Sequence, residues 1–140
     1  MTPQVKAWAV CAAVLFFKMM ANTLVQGFGK LKYRRFEIQE DAALYGKGPA
    51  TCESTDLEQR AAWCWENDLE NIPIFLFVSL GYVLVEANPA RAPLYMTIFC
   101  ASRFLYMLAF LFALQPWRTL CYYAGVIVTL IMTVGILTSI

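Results

Sequence analysis

TDLEQRAAWCWENDLENIPIFLFVSLGYVLV, residues 55–85, changes character halfway along. In its first half Glu66, Asn67, Asp68, Glu70 and Asn71 are crowded together. Its second half, Ile72 to Val85, is dominated by Ile, Leu, Phe and Val and ends before an Asn88-Pro89 turn. Thr55 followed by Glu58 is a capping-box pattern, so a helix is predicted to start there. The acids then lie in the helix interior, close to where it enters an apolar medium, and not in a solvated first turn. That placement favours a built polar site over an incidental acidic surface.

Apolar runs on either side extend this reading. The 140-residue chain is 60% hydrophobic and 15% charged, and its mean hydropathy is +0.55. A soluble domain of this size hides only about two thirds of its unfolded-chain surface, so such a composition points to the bilayer. Spans of about 20 helical residues cross the hydrocarbon core. They are predicted at about 7–28, 68–86, 93–114 and 117–140, with one long polar loop at about 29–60. The first run is too long and too aromatic for a signal peptide. The expected fold is all-α, a single domain over 1–140 forming an integral membrane four-helix bundle. Both termini then fall on one side. The loop and the Gln115 to Arg118 corner carry seven Lys and Arg against Lys6 and Arg91 opposite, which places the loop in the cytoplasm and the termini away from it.

A formal net charge of +1 leaves no electrostatic case for nucleic acid. His is absent, which removes imidazole catalysis and His-ligated zinc. No metal site is expected. Cys11, Cys52, Cys64, Cys100 and Cys121 contain no CxxC pair and read as packing residues or incidental thiols.

Ionisable groups inside spans are expensive, so each is a candidate functional residue. Lys18, Asn22 and Gln26 recur every four residues and form one stripe, read as glue between helices. Arg103 falls near mid-membrane with Tyr106 and Phe110 on its face, and a carboxylate such as Glu70 is its expected partner. Arg118, Thr119 and Tyr122 open the last helix, where the helix dipole adds positive potential. Together these groups suggest a cavity for a zwitterionic, net-negative small molecule. Lys30, Arg103 and Arg118 would take carboxylates and Glu70 an ammonium. Apolar helix faces alongside would admit a lipophilic second substrate, for a conjugation or an isomerisation.

Lys18-Met19, Glu40-Asp41, Gly46-Lys47-Gly48, Arg60, the run Asn67-Asp68-Leu69-Glu70-Asn71, then Arg103, Pro116 and Arg118 at matching intervals make a joint pattern. It resembles the membrane-associated proteins in eicosanoid and glutathione metabolism, the MAPEG family, over most of the chain. Val128-Thr129-Leu130 and Met132 lean towards its glutathione transferase branch. The resemblance implies a homotrimer binding glutathione between subunits, in the endoplasmic reticulum membrane of a eukaryote or the inner membrane of a bacterium. It implies that Arg118 is the catalytic arginine stabilising the glutathione thiolate. Lys30, Asn67, Glu70, Arg103, Tyr106 and Tyr122 would form the rest of the binding site. Thr119 takes the place of a hydroxyl-bearing serine, and Asp41 matches an aspartate assigned to proton transfer in the prostaglandin E synthase branch. Glu66 stands where that branch has an arginine, Tyr106 replaces a histidine and Phe110 a tyrosine.

The leading expectation is a membrane-bound glutathione transferase acting on lipophilic electrophiles, with glutathione peroxidase activity on lipid hydroperoxides. The alternatives are a glutathione-dependent prostaglandin endoperoxide isomerase and a non-enzymatic lipid-binding scaffold.

Overall fold

A computed structural model describes residues 2–139. Its helices are α1 (Pro3–Tyr33), α2 (Gln39–Tyr45), α3 (Asp56–Leu84), α4 (Ala92–Leu111) and α5 (Trp117–Leu137), and the described residues contain no strand. α3 begins where the capping pattern places it. Glu58 N–H donates to Thr55 Oγ1 at 3.3 Å, and Thr55 N–H donates to Glu58 Oε2 at 2.6 Å. α1 is longer than its apolar run: it continues to Tyr33 and stops at Arg34, which adopts φ 51°. The loop after it contains α2, a short helix that the polar composition of this stretch concealed.

The order of contacts along the helices fixes their directions. From α1 to α3, Gln4 donates to Val83 O (3.4 Å), Trp8 Nε1 to Leu76 O (3.2 Å) and Asn22 Nδ2 to Ala61 O (3.0 Å). Numbers rise on one helix as they fall on the other, so the two are antiparallel. Gln26 also reaches Ala61 O at 3.5 Å, and Lys18 pairs with Asp68. The predicted stripe therefore does tie helices together. On α3 and α4, Tyr82 meets Tyr95 and Phe75 stacks on Phe99 (centroids 3.5 Å, planes 3° apart), again antiparallel. α5 returns along α4, with Phe110 against Arg118 at one end and Ser102 beside Gly125 further on. The four long helices thus alternate in direction. The start of α1, the α3–α4 turn and the end of α5 share one end of the structure, since Tyr82 also packs against Gly135.

A core of Leu15, Ile72, Phe75, Met96, Phe99, Val128 and Met132 joins α1, α3, α4 and α5. A second buried cluster holds Cys64, Tyr106, Met107 and Phe110, and many other large apolar residues face outwards: Phe77 is 77% exposed, Leu24 72% and Phe17 67%. Such surfaces need lipid or protein to cover them. α1, α4 and α5 are long and apolar enough to cross a membrane. α3 falls short by composition. Its apolar part, Ile72 to Leu84, extends only about 20 Å at 1.5 Å per residue, and the polar half before it turns Asp68 inwards.

Candidate functional site

The site grows from Arg103. Its guanidinium lies within the protein, fully buried, and Nη1 donates to Asn67 Oδ1 at 3.0 Å. The rings of Phe99, Tyr106 and Tyr122 surround it at 5.2, 5.4 and 5.8 Å from Cζ, a cation–π environment that partly offsets lost hydration. Nε and Nη2 are buried with no hydrogen-bond partner. Space for this group comes from Gly125 on α5: a Cβ there would stand 2.7 Å from Arg103 Nη2 and 3.1 Å from Ser102 Oγ.

Glu70 is not the partner of Arg103. Its side chain is exposed on the outer side of α3, whereas Asn67 faces α4. The inward carboxylate is Asp68, and Lys18 already holds it. Lys18 comes from mid-span of α1, with its side chain buried beside Cys64.

Tyr106 and Tyr122 link Arg103 to the second guanidinium. Tyr106 lies 6.5 Å from Tyr122 and 5.5 Å from Phe110 between ring centroids, and Arg118 Cζ sits 4.7 Å over the Phe110 ring. Arg118 is the second residue of α5, so its charge adds to the positive end of that helix. Its partner is neutral. With the Gln115 amide oriented to satisfy both neighbours, Oε1 accepts from Arg118 Nε (3.0 Å) and Nη2 (2.6 Å), while the amide nitrogen donates to Thr119 Oγ1 at 3.2 Å. Gln115 thus holds both the guanidinium and the hydroxyl, a role that sequence reasoning missed. The signal available was its spacing, three and four residues before Arg118 and Thr119.

Asn67, Arg103, Tyr106, Tyr122, Arg118 and Thr119 therefore form one continuous cluster at the α3–α4–α5 junction. Among the described residues neither Arg103 nor Arg118 forms an ion pair. Two guanidiniums without carboxylates suit an anionic ligand. Three predicted residues lie elsewhere on the chain. Lys30 pairs with Glu37 at 3.2 Å and lines a cavity of about 300 Å³ with Gln26, Ser54 and Glu58. Asp41 is in the first turn of α2, and Glu70 faces outwards. No grouping of His, Cys, Asp and Glu among the described residues could hold a metal ion.

The chain matches the MAPEG family over residues 5–138. Microsomal glutathione S-transferase 1 of Homo sapiens is 34% identical to it over 137 residues, covering 95% of this chain and 88% of the relative. The Rattus norvegicus protein of the same name is 34% identical over 140 residues, with the same coverage of 95% and 88%. Prostaglandin E synthase of Homo sapiens is 30% identical over 122 residues, 86% of this chain and 80% of the relative. Matched along nearly all its length, the chain belongs to the MAPEG family.

Proposed function

We propose that the protein is a membrane-bound glutathione transferase, with glutathione peroxidase activity on lipid hydroperoxides. One observation carries this reading: Arg118 sits at the start of α5, positioned by Gln115 and Phe110, with no carboxylate to neutralise it. A free thiol has a pKa of about 8.5 and is mostly protonated at neutral pH. A guanidinium and a helix N-terminus favour the thiolate, and each unit of depression needs only about 1.4 kcal/mol. The thiolate then attacks the electrophilic carbon of a lipophilic substrate and displaces its leaving group. With a hydroperoxide it attacks the terminal oxygen instead: the O–O bond breaks, the alcohol leaves, and the glutathione sulfenic acid formed condenses with a second glutathione to give the disulfide and water.

In this reading Arg118 faces the thiolate and Arg103 attracts a carboxylate of glutathione, Asn67, Tyr106 and Tyr122 line the site, and Thr119 adds a hydroxyl beside the sulfur. Lys30, Asp41 and Glu70 join from a neighbouring subunit, since they lie apart from the cluster within one protomer. The assembly is a homotrimer of membrane-spanning four-helix bundles, in which partner subunits and lipid cover α3 and its exposed apolar faces. The microsomal relatives support an endoplasmic reticulum location, with the long loop cytoplasmic.

Equilibrium binding of glutathione to the detergent-purified protein is the first test. No affinity at millimolar concentration would replace the enzyme with a lipid-binding scaffold. Conjugation of a chlorinated nitroaromatic is the second, and activity unchanged in Arg118→Ala would reject the mechanism. Thr119 beside Arg118, together with the prostaglandin E synthase relatives, favours a second reading as an endoperoxide isomerase. That reading requires Asp41→Ala to abolish isomerisation and leave glutathione binding intact.

A further inference from the structure

Cys11 of α1 and Cys100 of α4 meet with their sulfurs 2.9 Å apart, both as free thiols. The gap exceeds a disulfide bond of about 2.05 Å by less than about 1 Å. Backbone flanks the pair, with Met96 O 3.9 Å from Cys11 Sγ and Cys11 O 3.9 Å from Cys100 Sγ. Cys11 is buried and Cys100 half-buried, so Cys100 is the more accessible residue of the two.

The two thiols form part of the wall of a cavity of about 450 Å³ between α1 and α4. Val10, Val14 and Met96 make it apolar, while Lys6 supplies a cation. Lys6 is exposed and stands five residues before Cys11, about 7.5 Å nearer the start of α1. A positive mouth, apolar walls and a dithiol beyond fit an anionic amphiphile. Its carboxylate would lie at Lys6 and its chain along the valines, which brings a group on that chain to the sulfurs. The volume suits a ligand of this size.

We propose that Cys11 and Cys100 are a second reactive site, a dithiol that reduces a long-chain fatty acid hydroperoxide bound between α1 and α4 and becomes a disulfide joining those helices. Cys100 sulfur attacks the terminal peroxide oxygen, the O–O bond breaks, and the hydroxy acid leaves with the thiol's proton. The resulting Cys100 sulfenic acid is attacked by Cys11 sulfur, which expels water. Two thiols lose two electrons and two protons, and the hydroperoxide takes up both. Glutathione has no part in these steps, so the site does not depend on the cluster around Arg118.

The test treats the full-length protein in detergent, without glutathione, with linoleic acid hydroperoxide. Disulfides are mapped by non-reducing peptide mass spectrometry and the hydroxy acid is quantified. A Cys11–Cys100 bond is expected, with one hydroxy acid per bond and formation at least about ten-fold faster than with equal hydrogen peroxide, because the cavity concentrates the lipid. Cys11→Ser and Cys100→Ser each abolish the bond. Val14→Trp, filling the cavity, slows the lipid reaction at least about ten-fold while diamide still links the same pair, which shows that the variant is folded. Equal rates with the two peroxides, no bond with the lipid hydroperoxide where diamide forms one, or no bond with any oxidant would each overturn the proposal.

Discussion

Lys18 of α1 and Asp68 of α3 form an ion pair whose side chains are both fully buried. Each charge is tolerated because the other is present. Removing one partner of such a pair costs about 3–5 kcal/mol, whereas replacing both with apolar groups is often neutral. Lys18→Met and Asp68→Leu should each lower stability by that amount in denaturant or thermal unfolding in detergent. The double variant Lys18→Met/Asp68→Leu should recover most of the loss. A double variant as unstable as the sum of the singles would show that the two groups act through other contacts.

This pair marks how far the sequence could be read. Lys18 stands out in an apolar run, and its stripe with Asn22 and Gln26 correctly pointed to contacts between helices. Which acid met it was not legible, because Asp68 and Glu70 lie two residues apart and only tertiary packing turns one inwards. The start of α3 was legible because a capping box is local chemistry. α2 was not, since a short helix with little apolar periodicity leaves no pattern. Arg103 stood out by the cost of charge inside a span, whereas Arg118 at the membrane boundary drew its expected role from the family resemblance. Gln115 and Gly125 carry no charge, and their importance rests on what neighbouring helices place beside them.

Gly125→Ala tests the packing around Arg103. The added Cβ would meet Nη2 at 2.7 Å, so the guanidinium must shift away from α5 and loosen its bond to Asn67. Alanine favours a helix over glycine by about 1 kcal/mol, so α5 itself is not weakened. Glutathione affinity should fall about ten-fold, equivalent to about 1.4 kcal/mol, while the helical circular dichroism is retained. Unchanged affinity in calorimetric titration would remove Arg103 from the binding site.

Gln115→Ala separates positioning from charge. Arg118 keeps its guanidinium but loses the acceptor of Nε and Nη2, leaving the Phe110 ring as its support. The turnover number should drop by about ten-fold, less than the roughly 100-fold expected for Arg118→Ala, with little change in KM for glutathione. Thiolate absorbance in the enzyme–glutathione complex should fall in parallel. Gln115→Glu keeps an acceptor but adds a negative charge, so it should restore orientation without restoring the thiolate. An increase in KM alone would make Gln115 a binding residue.

The separation of Lys30 from Arg118 within one protomer yields the sharpest test of the proposed assembly. If one site draws Lys30 from one subunit and Arg118 from the next, Lys30→Ala and Arg118→Ala subunits can complement each other. In a randomly mixed trimer about a quarter of the interfaces then combine an intact Lys30 with an intact Arg118. Each variant alone should be impaired at subsaturating glutathione, and co-expression should return about a quarter of wild-type conjugation per subunit. If both residues serve the same subunit's site, no mixed interface is intact and co-expression returns only the average of the two variants. Trimer composition is read by native mass spectrometry on the same samples, so failure to mix is distinguished from failure to complement. Recovery would assign Lys30 to its neighbour's site; its absence in mixed trimers would place the whole site within one protomer.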